Sequence, residues 1–451
     1  MITVSHVVYG LVTLAVIVVM LMRKGVVIPT LLGTLLVGWI YKGDIISGFK
    51  AVYNANLLAA TELFTIFLII TFMVALLSSL KDIGADRLMI QPIGKLMVNG
   101  HVSFFIMCAV TFVISLFFWP TPAVPLIGAL LIPAAARAGL PAMGAAMAIA
   151  ISGQGMALSS DYIMQVAPML SATSAGVSTA EVADKGLVLS LIAGVVAIGL
   201  AYLVNRKSIA KPGTMEETAL LTAGKSAGAG ASSGERMPEA ALAAETIDPS
   251  MRKWARAFAV IVPAAMLAIM IIMILSKVTD GAIGSMEGGD GAAFIGGVAV
   301  ILLVLASTVF SKVQALDKIS EHLIEGFVFA FKAMGPVIPI AGFFFLGNSD
   351  FSGRILSLGA DEAPPAFLFD MVTKAQEVIP ANGFIAAFGL LIIGIITGLD
   401  GSGFSGLPLT GSLSGALAAG SGVDASTLAA IGQMGAIWSG GGALIAWSSL
   451  V

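Results

Sequence analysis

Two stretches of the chain place glycine, hydroxyl, amide and acidic residues inside long apolar runs. The first holds Trp119-Pro120-Thr121-Pro122 and, further on, Ser152-Gly153-Gln154-Gly155, then Ser159, Ser160 and Asp161. The second holds Asp400-Gly401-Ser402-Gly403-Phe404-Ser405, then Gly432-Gln433-Met434-Gly435, Ser439 and Gly440-Gly441-Gly442. Breaks at membrane depth are tolerated only where they are buried in protein or line a wet cavity. Unwound carbonyls and hydroxyls suit a hard cation such as sodium, and half-helix N-termini offer N–H groups to an anion. On this chemistry Asp400, Ser152, Gly153, Gly403, Gly432 and Gly435 are candidate cation ligands. Thr121, Gln154, Gly155, Ser159, Ser402, Ser405, Gln433 and Ser439 are candidate contacts of a small anionic substrate.

Each of these residues has a plainer reading. A carboxylate within an apolar run is costly and reads as functional by default, but Asp400 can equally cap a half-helix. Asp161 has the weaker claim of the two acids. Arg137 reads better as an interfacial anchor than as a ligand. Trp119 and Trp438 are either cavity walls or aromatic-belt residues. Ser159, Ser160, Ser439 and the glycines after it either line a cavity or allow close helix packing. Asp82 and Asp350 are expected to cap the helices that follow them. The chain has no P-loop, no HExxH and no nucleophile elbow preceded by a strand, so an enzyme is not expected.

The elements that must hold these residues follow from composition. The 451 residues are 58% hydrophobic and 11% charged, with a mean hydropathy of +1.01. Soluble domains carry roughly a quarter charged residues, so the chain reads as an all-α polytopic membrane protein. A single cysteine, Cys108, excludes a disulfide framework, and His6, His101 and His322 lie far apart near helix ends. Spans are expected over residues 7–22, 27–41, 57–80, 186–204, 258–275, 294–310 and 327–346, with surface helices over 81–100 and 315–326 and an interfacial stretch over 44–56.

The two polar-bearing stretches look like copies. Setting Pro125 on Pro408 matches Leu126 with Leu409, Gly128 with Gly411, Leu130 with Leu413, Ala135 with Ala418 and Gly139 with Gly422, and a short gap sets Gly153-Gln154 on Gly432-Gln433. Interrupted apolar segments at matching places in two halves point to a transporter's binding site. The expected organisation is a first repeat over 1–204, with a re-entrant hairpin at 103–138 and a broken helix at 141–170. A second repeat over 253–451 has its hairpin at 383–420 and broken helix at 425–451. A flexible linker, 205–252, joins them. Both hairpin tips are expected to point at one cavity, with the breaks at 152–155 and 432–435 facing them. Lys and Arg in short loops put the N-terminus outside and the linker in the cytoplasm, so the repeats would be inverted in topology.

The run from Ile395 to Gly442 resembles the hairpin and broken helix of the citrate–metal symporters, members of the ion transporter superfamily with the divalent-anion/sodium, gluconate and C4-dicarboxylate carriers. The resemblance implies inverted repeats, a scaffold and a mobile transport domain, a homodimer in the cell (plasma) membrane, and elevator-type alternating access. It implies transport of a small anion, an organic carboxylate, coupled to Na+ or protons. No other cofactor and no nucleic-acid partner is expected. The alternative is a cation/proton antiporter of the same superfamily. The first tip departs from the family pattern in lacking an acidic residue, and neither tip has the Ser-Asn-Thr signature of the dicarboxylate symporters. The loop charges predict that a cysteine placed at Ser232 is labelled by an impermeant reagent only from the cytoplasm, and one at Ser285 only from outside. Labelling of both from one side refutes the inverted arrangement.

Overall fold

The computed structural model describes residues 2–212, 252–278, 290–359, 361–376, 382–399 and 403–441. The turn at 279–289, with Asp280 and Glu287, and most of the linker therefore lie outside the described residues, as do Asp400, Gly401, Ser402 and Gly442. Among the described residues every regular element is a helix. They run α1 (Val4–Leu21), α2 (Val27–Lys42), α3 (Ile45–Asp82), α4 (Ala85–Ile90), α5 (Gly100–Phe117), α6 (Pro120–Arg137) and α7 (Ala142–Ile149). A π-helix (Ala150–Ala157) and a last turn to Ser160 continue α7, before α8 (Val166–Ala175) and α9 (Thr179–Asn205). Then follow α10 (Arg252–Val278), α11 (Asp290–Ser311), α12 (Ala315–Met334), α13 (Val337–Phe345), α14 (Ser349–Ile355), α15 (Phe367–Gln376), α16 (Gly383–Gly398), α17 (Leu407–Ser421) and α18 (Ala425–Gly440). Seven helical segments among the described residues are long and apolar enough to cross a membrane. The protein is an all-helical, polytopic membrane protein.

The chain divides into two compact units. One comprises Met1–Phe67, Ser159–Ser190 and Phe331–Trp447; the other comprises Leu68–Leu158 and Leu191–Ala330. In the first unit α16 lies along α18, and α17 packs on both α8 and α18. In the second, α5 packs on α6, α7 and the π-helix, and α10 packs on α4.

Caps define the ends of the polar-bearing elements. Asn99 accepts the Val102 N–H at the start of α5, and Asn382 accepts the Phe384 N–H at the start of α16. Gly139 and Gly422 follow α6 and α17 in left-handed conformations, φ +97° and +73°, which glycine adopts without a Cβ penalty. The same chain separation relates Asn99 to Asn382, Pro125 to Pro408 and Gly139 to Gly422. Start, body and end of the two helical pairs thus correspond, the Asn caps included.

Several expected boundaries are corrected. The stretch 44–56 is not a separate interfacial piece, because α3 runs unbroken from Ile45 to Asp82. Its polar residues are satisfied where they stand: Asn54 donates to the Ile355 carbonyl at 3.1 Å and Glu62 accepts from Arg354 at 3.0 Å. The expected break at Gly326 is a contact instead, since a Cβ there would strike the Thr71 carbonyl. The chain breaks later, at Gly335-Pro336, where proline has no N–H to continue the helix. The surface stretch 81–100 is two short pieces, α4 and a 3-10 turn over Gln91–Leu96 that carries Pro92 near its start. Asp82 ends α3, 3.2 Å from His322 Nε2, rather than capping α4. Asn348, not Asp350, caps α14 by accepting the Asp350 N–H.

The largest correction concerns α18. It is continuous through Gly432-Gln433-Met434-Gly435, so no break exists there. These glycines serve contact. A Cβ on Gly435 would lie 2.6 Å from the Leu391 carbonyl, and one on Gly432 would lie 2.7 Å from Thr410 Cβ. On the facing helix, a Cβ on Gly394 would meet the Gly432 carbonyl oxygen and come within 3.1 Å of the Ala436 nitrogen. Small residues that let backbones approach are how helices associate in lipid. Gly394→Ala is therefore expected to lower thermal stability in detergent by about 1–3 kcal/mol, the usual overpacking cost. Gly389→Ala on the same helix meets nothing within 4 Å and should be neutral or slightly stabilising. Equal behaviour of the two variants would show that the seam does not govern stability.

Candidate functional site

In the second unit, α5 turns Cys108, Thr111 and Ser115 to one face by their helical spacing. That face meets the π-helix at Gly153, where a Cβ would lie 2.9 Å from Thr111 Cγ2 and 3.1 Å from Ser115 Oγ. Ser152 and Gln154 flank this glycine, 0% and 1% exposed. Thr111 Oγ1, Ser115 Oγ and Gln154 Nε2 are buried without a hydrogen-bond partner, and Ser152 Oγ has beside it only the weakly donating Cys108 thiol. Each buried polar group left unpaired costs about 1–3 kcal/mol, so the hydroxyls of Thr111, Ser115 and Ser152 at one helix contact mark it as more than packing. The helix here is π-wound rather than unwound as expected, and its extra residue per turn falls in the Ser-Gly-Gln-Gly segment. Gly155 is buried within it. Trp119 is buried at the α5–α6 junction; the side chain of Thr121 lies outside the described residues. Arg137 ends α6 exposed.

In the first unit the interrupted helix ends at Ser160, and the chain turns through Asp161 and Gln165, both in positive-φ conformations of +36° and +57°. Such conformations are uncommon for residues other than glycine. Asp161 is 5% exposed, and its Oδ2 accepts the Ala167 N–H at 2.7 Å. The carboxylate thus sits at the N-terminus of α8, the end whose free N–H groups and dipole favour negative charge. Ser159 Oγ is 2.9 Å from Ser190 Oγ, and the Ser159 carbonyl accepts from Gln433 Nε2 at 2.8 Å. That carbonyl belongs to a helix C-terminus and has no donor further along its own helix, so Gln433 caps it from α18. Gln433 Oε1 remains buried and unpaired.

The other expected residues divide. Gly403 has φ +70° and lies against the end of α18, its Cβ position 3.0 Å from the Gly441 nitrogen. Ser405 is buried nearby. Ser439 is not a free ligand: its hydroxyl is within bonding distance of the Ile395 carbonyl at 2.9 Å and the Gly435 carbonyl at 2.8 Å, which fastens α18 to α16. Gly432 and Gly435 are corrected as cation ligands, because the carbonyls of a continuous helix are engaged by its own ladder. Sequence reasoning passed over Thr111, Ser115 and Ser190. The first two were findable as hydroxyls four apart in an otherwise apolar helix.

No family model matches the chain. Over 446 residues it is 34% identical to the uncharacterized membrane protein YhfA of Bacillus subtilis, an alignment covering 98% of this chain and 90% of that protein. The chain belongs to the YhfA family. That alignment leaves almost nothing of this YhfA-family chain outside it, so both units described above fall within the family's common length. The cross-helix cap yields a direct check. Gln433→Met keeps the side-chain length but removes the donor, and is expected to destabilise the protein by about 1–3 kcal/mol by leaving the Ser159 carbonyl short of a partner. Gln433→Glu should cost at least as much, since an ionised carboxylate cannot donate. Thermal unfolding of purified protein measures both; unchanged midpoints would remove this bond from the account.

Proposed function

We propose that the protein is a secondary active transporter of a small anion, an organic carboxylate, coupled to Na+ or to protons. The observation that supports it most directly is the interrupted helix of the first copy. It passes from α7 through a π-helix to Ser160, then turns through two non-glycine residues in positive-φ conformations around a buried carboxylate. A spanning segment has no structural need for such a sequence, and irregular backbone of this kind is how transporters build ion and substrate sites. The likeness to the citrate–metal symporters of the ion transporter superfamily supplies the rest of the reading: inverted repeats, elevator-type alternating access and a homodimer in the plasma membrane. In it Asp400, outside the described residues, neutralises the coupling cation at the second tip.

The antiporter alternative has its own support in Asp161. Its described partners are the N–H groups of Val166 and Ala167 rather than a basic side chain, so it is a carboxylate able to carry an exchanged ion or proton. Reconstitution into proteoliposomes separates the two readings. Uptake of labelled di- or tricarboxylates that depends on an inward Na+ or proton gradient, and that Asp400→Asn abolishes or strongly reduces, is the expected result. Sodium movement against a pH gradient with no organic anion present selects the antiporter. Neither flux, in protein shown to be folded, overturns transport altogether.

A further inference from the structure

We propose that the contact between α5 and the π-helix is a binding site for a dehydrated monovalent cation, Na+ in preference to K+, formed by the hydroxyls of Thr111, Ser115 and Ser152. Its role in coupling, as a second cation site beside the one assigned to Asp400, rests on the transport reading above; its binding chemistry does not.

The two copies make the same contact with different chemistry. The chain separation that relates Asn99 to Asn382 relates Thr111 to Gly394 and Ser115 to Gly398. In the second copy Gly394 lies against the backbone of Gly432, and Gly398 against the backbone of Ala436 and Gly440 and the Ser439 hydroxyl. The hydroxyls there are satisfied: Thr397 Oγ1 donates to the Gly394 carbonyl at 2.9 Å, and Ser439 Oγ engages the carbonyls of both helices. In the first copy Gly153 keeps the place of Gly432, but the facing positions carry hydroxyls. The fold accepts glycine at those positions, so packing does not require Thr111 or Ser115. Thr111 Oγ1 and Ser115 Oγ are buried without a partner, and Ser152 Oγ on the facing π-helix has only the Cys108 thiol beside it.

The chemistry of these atoms selects the ligand. The cluster contains no basic residue to hold an anion. Among the described residues no three His, Cys, Asp or Glu side chains are placed to hold a metal ion, so a transition metal, which favours such ligands, is excluded as the occupant of this contact. Neutral hydroxyl and backbone oxygens suit a hard monovalent cation. The unpaired atoms are sealed from water. An occupant must therefore enter stripped of its hydration shell, and the closeness of the two helices at Gly153 favours the smaller Na+ over K+, chloride or a carboxylate.

The test uses the purified full-length protein in a sodium-free choline buffer, titrated with NaCl, LiCl or KCl while the unfolding temperature and binding of radioactive sodium are followed. A ligand that binds only the folded state raises its stability by mass action. Saturable stabilisation by Na+ but not by K+ is expected. In Thr111→Val with Ser115→Ala the apparent sodium affinity should fall at least about tenfold, while stability in choline is unchanged or higher, because unpaired buried hydroxyls have been removed. Should the double variant fail to fold, Ser152→Ala alone must show the same loss of affinity. Wild-type sodium affinity in the folded variants overturns the site, as does loss of binding in Asp400→Asn with none in the α5 variants, which places the ion at the tip. Absence of any sodium-specific response also overturns it and leaves proton-coupled transport standing. Sodium binding that requires Thr111 and Ser115, in protein that transports nothing, keeps the site and sinks the transport reading.

Discussion

The backbone-to-backbone contact of α16 with α18 is the interaction on which the first unit depends. In lipid, apolar side chains gain little by leaving one apolar surface for another, so helix association rests on close packing and on polar fasteners. Gly394, Gly398, Gly432, Gly435 and Gly440 let the two backbones close, and the Ser439 hydroxyl within the seam ties its two helices through their carbonyls. The rest of the unit is set against this pair. A Cβ on Gly432 would reach Thr410 of α17, and one on Gly411 would strike the Ser171 carbonyl of α8. With α18 held in this way, Gln433 is aimed at the end of the interrupted helix, where a carbonyl needs a donor.

The corresponding contact in the second unit keeps the glycine of the π-helix but gives up the two glycines opposite it. Thr111 and Ser115 put polar atoms into a sealed contact at a cost that glycine would have avoided. Natural proteins break a local rule of this kind chiefly where function repays it. The π-wound segment is a second departure at the same place, and such segments are found frequently at functional sites.

Asp161 shows how one residue can hold two readings. As a cap it satisfies N–H groups at the start of α8 and lies at the favourable end of that helix's dipole. As a buried carboxylate beside an irregular turn it is also a group that transport can use. The geometry is compatible with both, because the interactions that hold a carboxylate at a helix N-terminus are those that stabilise its charge. By contrast Asp424, the cap of α18, has a single reading. Bonded by the Ser426 hydroxyl and by Thr427, it is held down to about 2, and it stands largely in solvent.

Membrane class and helical content were legible in the sequence. Apolar length and Gly/Pro punctuation act within a few residues and need no partner: Pro120, Gly139 and Gly422 end or begin helices wherever the chain goes. What the sequence left undetermined was the meaning of glycine within an apolar helix. Gly432 and Gly435 read as a break and are a contact, as does Gly326, while Gly335 with Pro336 is a true break. A glycine lowers helix propensity by only about 1 kcal/mol, so whether the helix continues is settled by whether another backbone lies against it. Gly394, far from Gly432 in sequence, decides that for α18, and Thr71 decides it for Gly326. The same holds for Thr111 and Ser115, whose hydroxyls become unusual only once the π-helix is set against them.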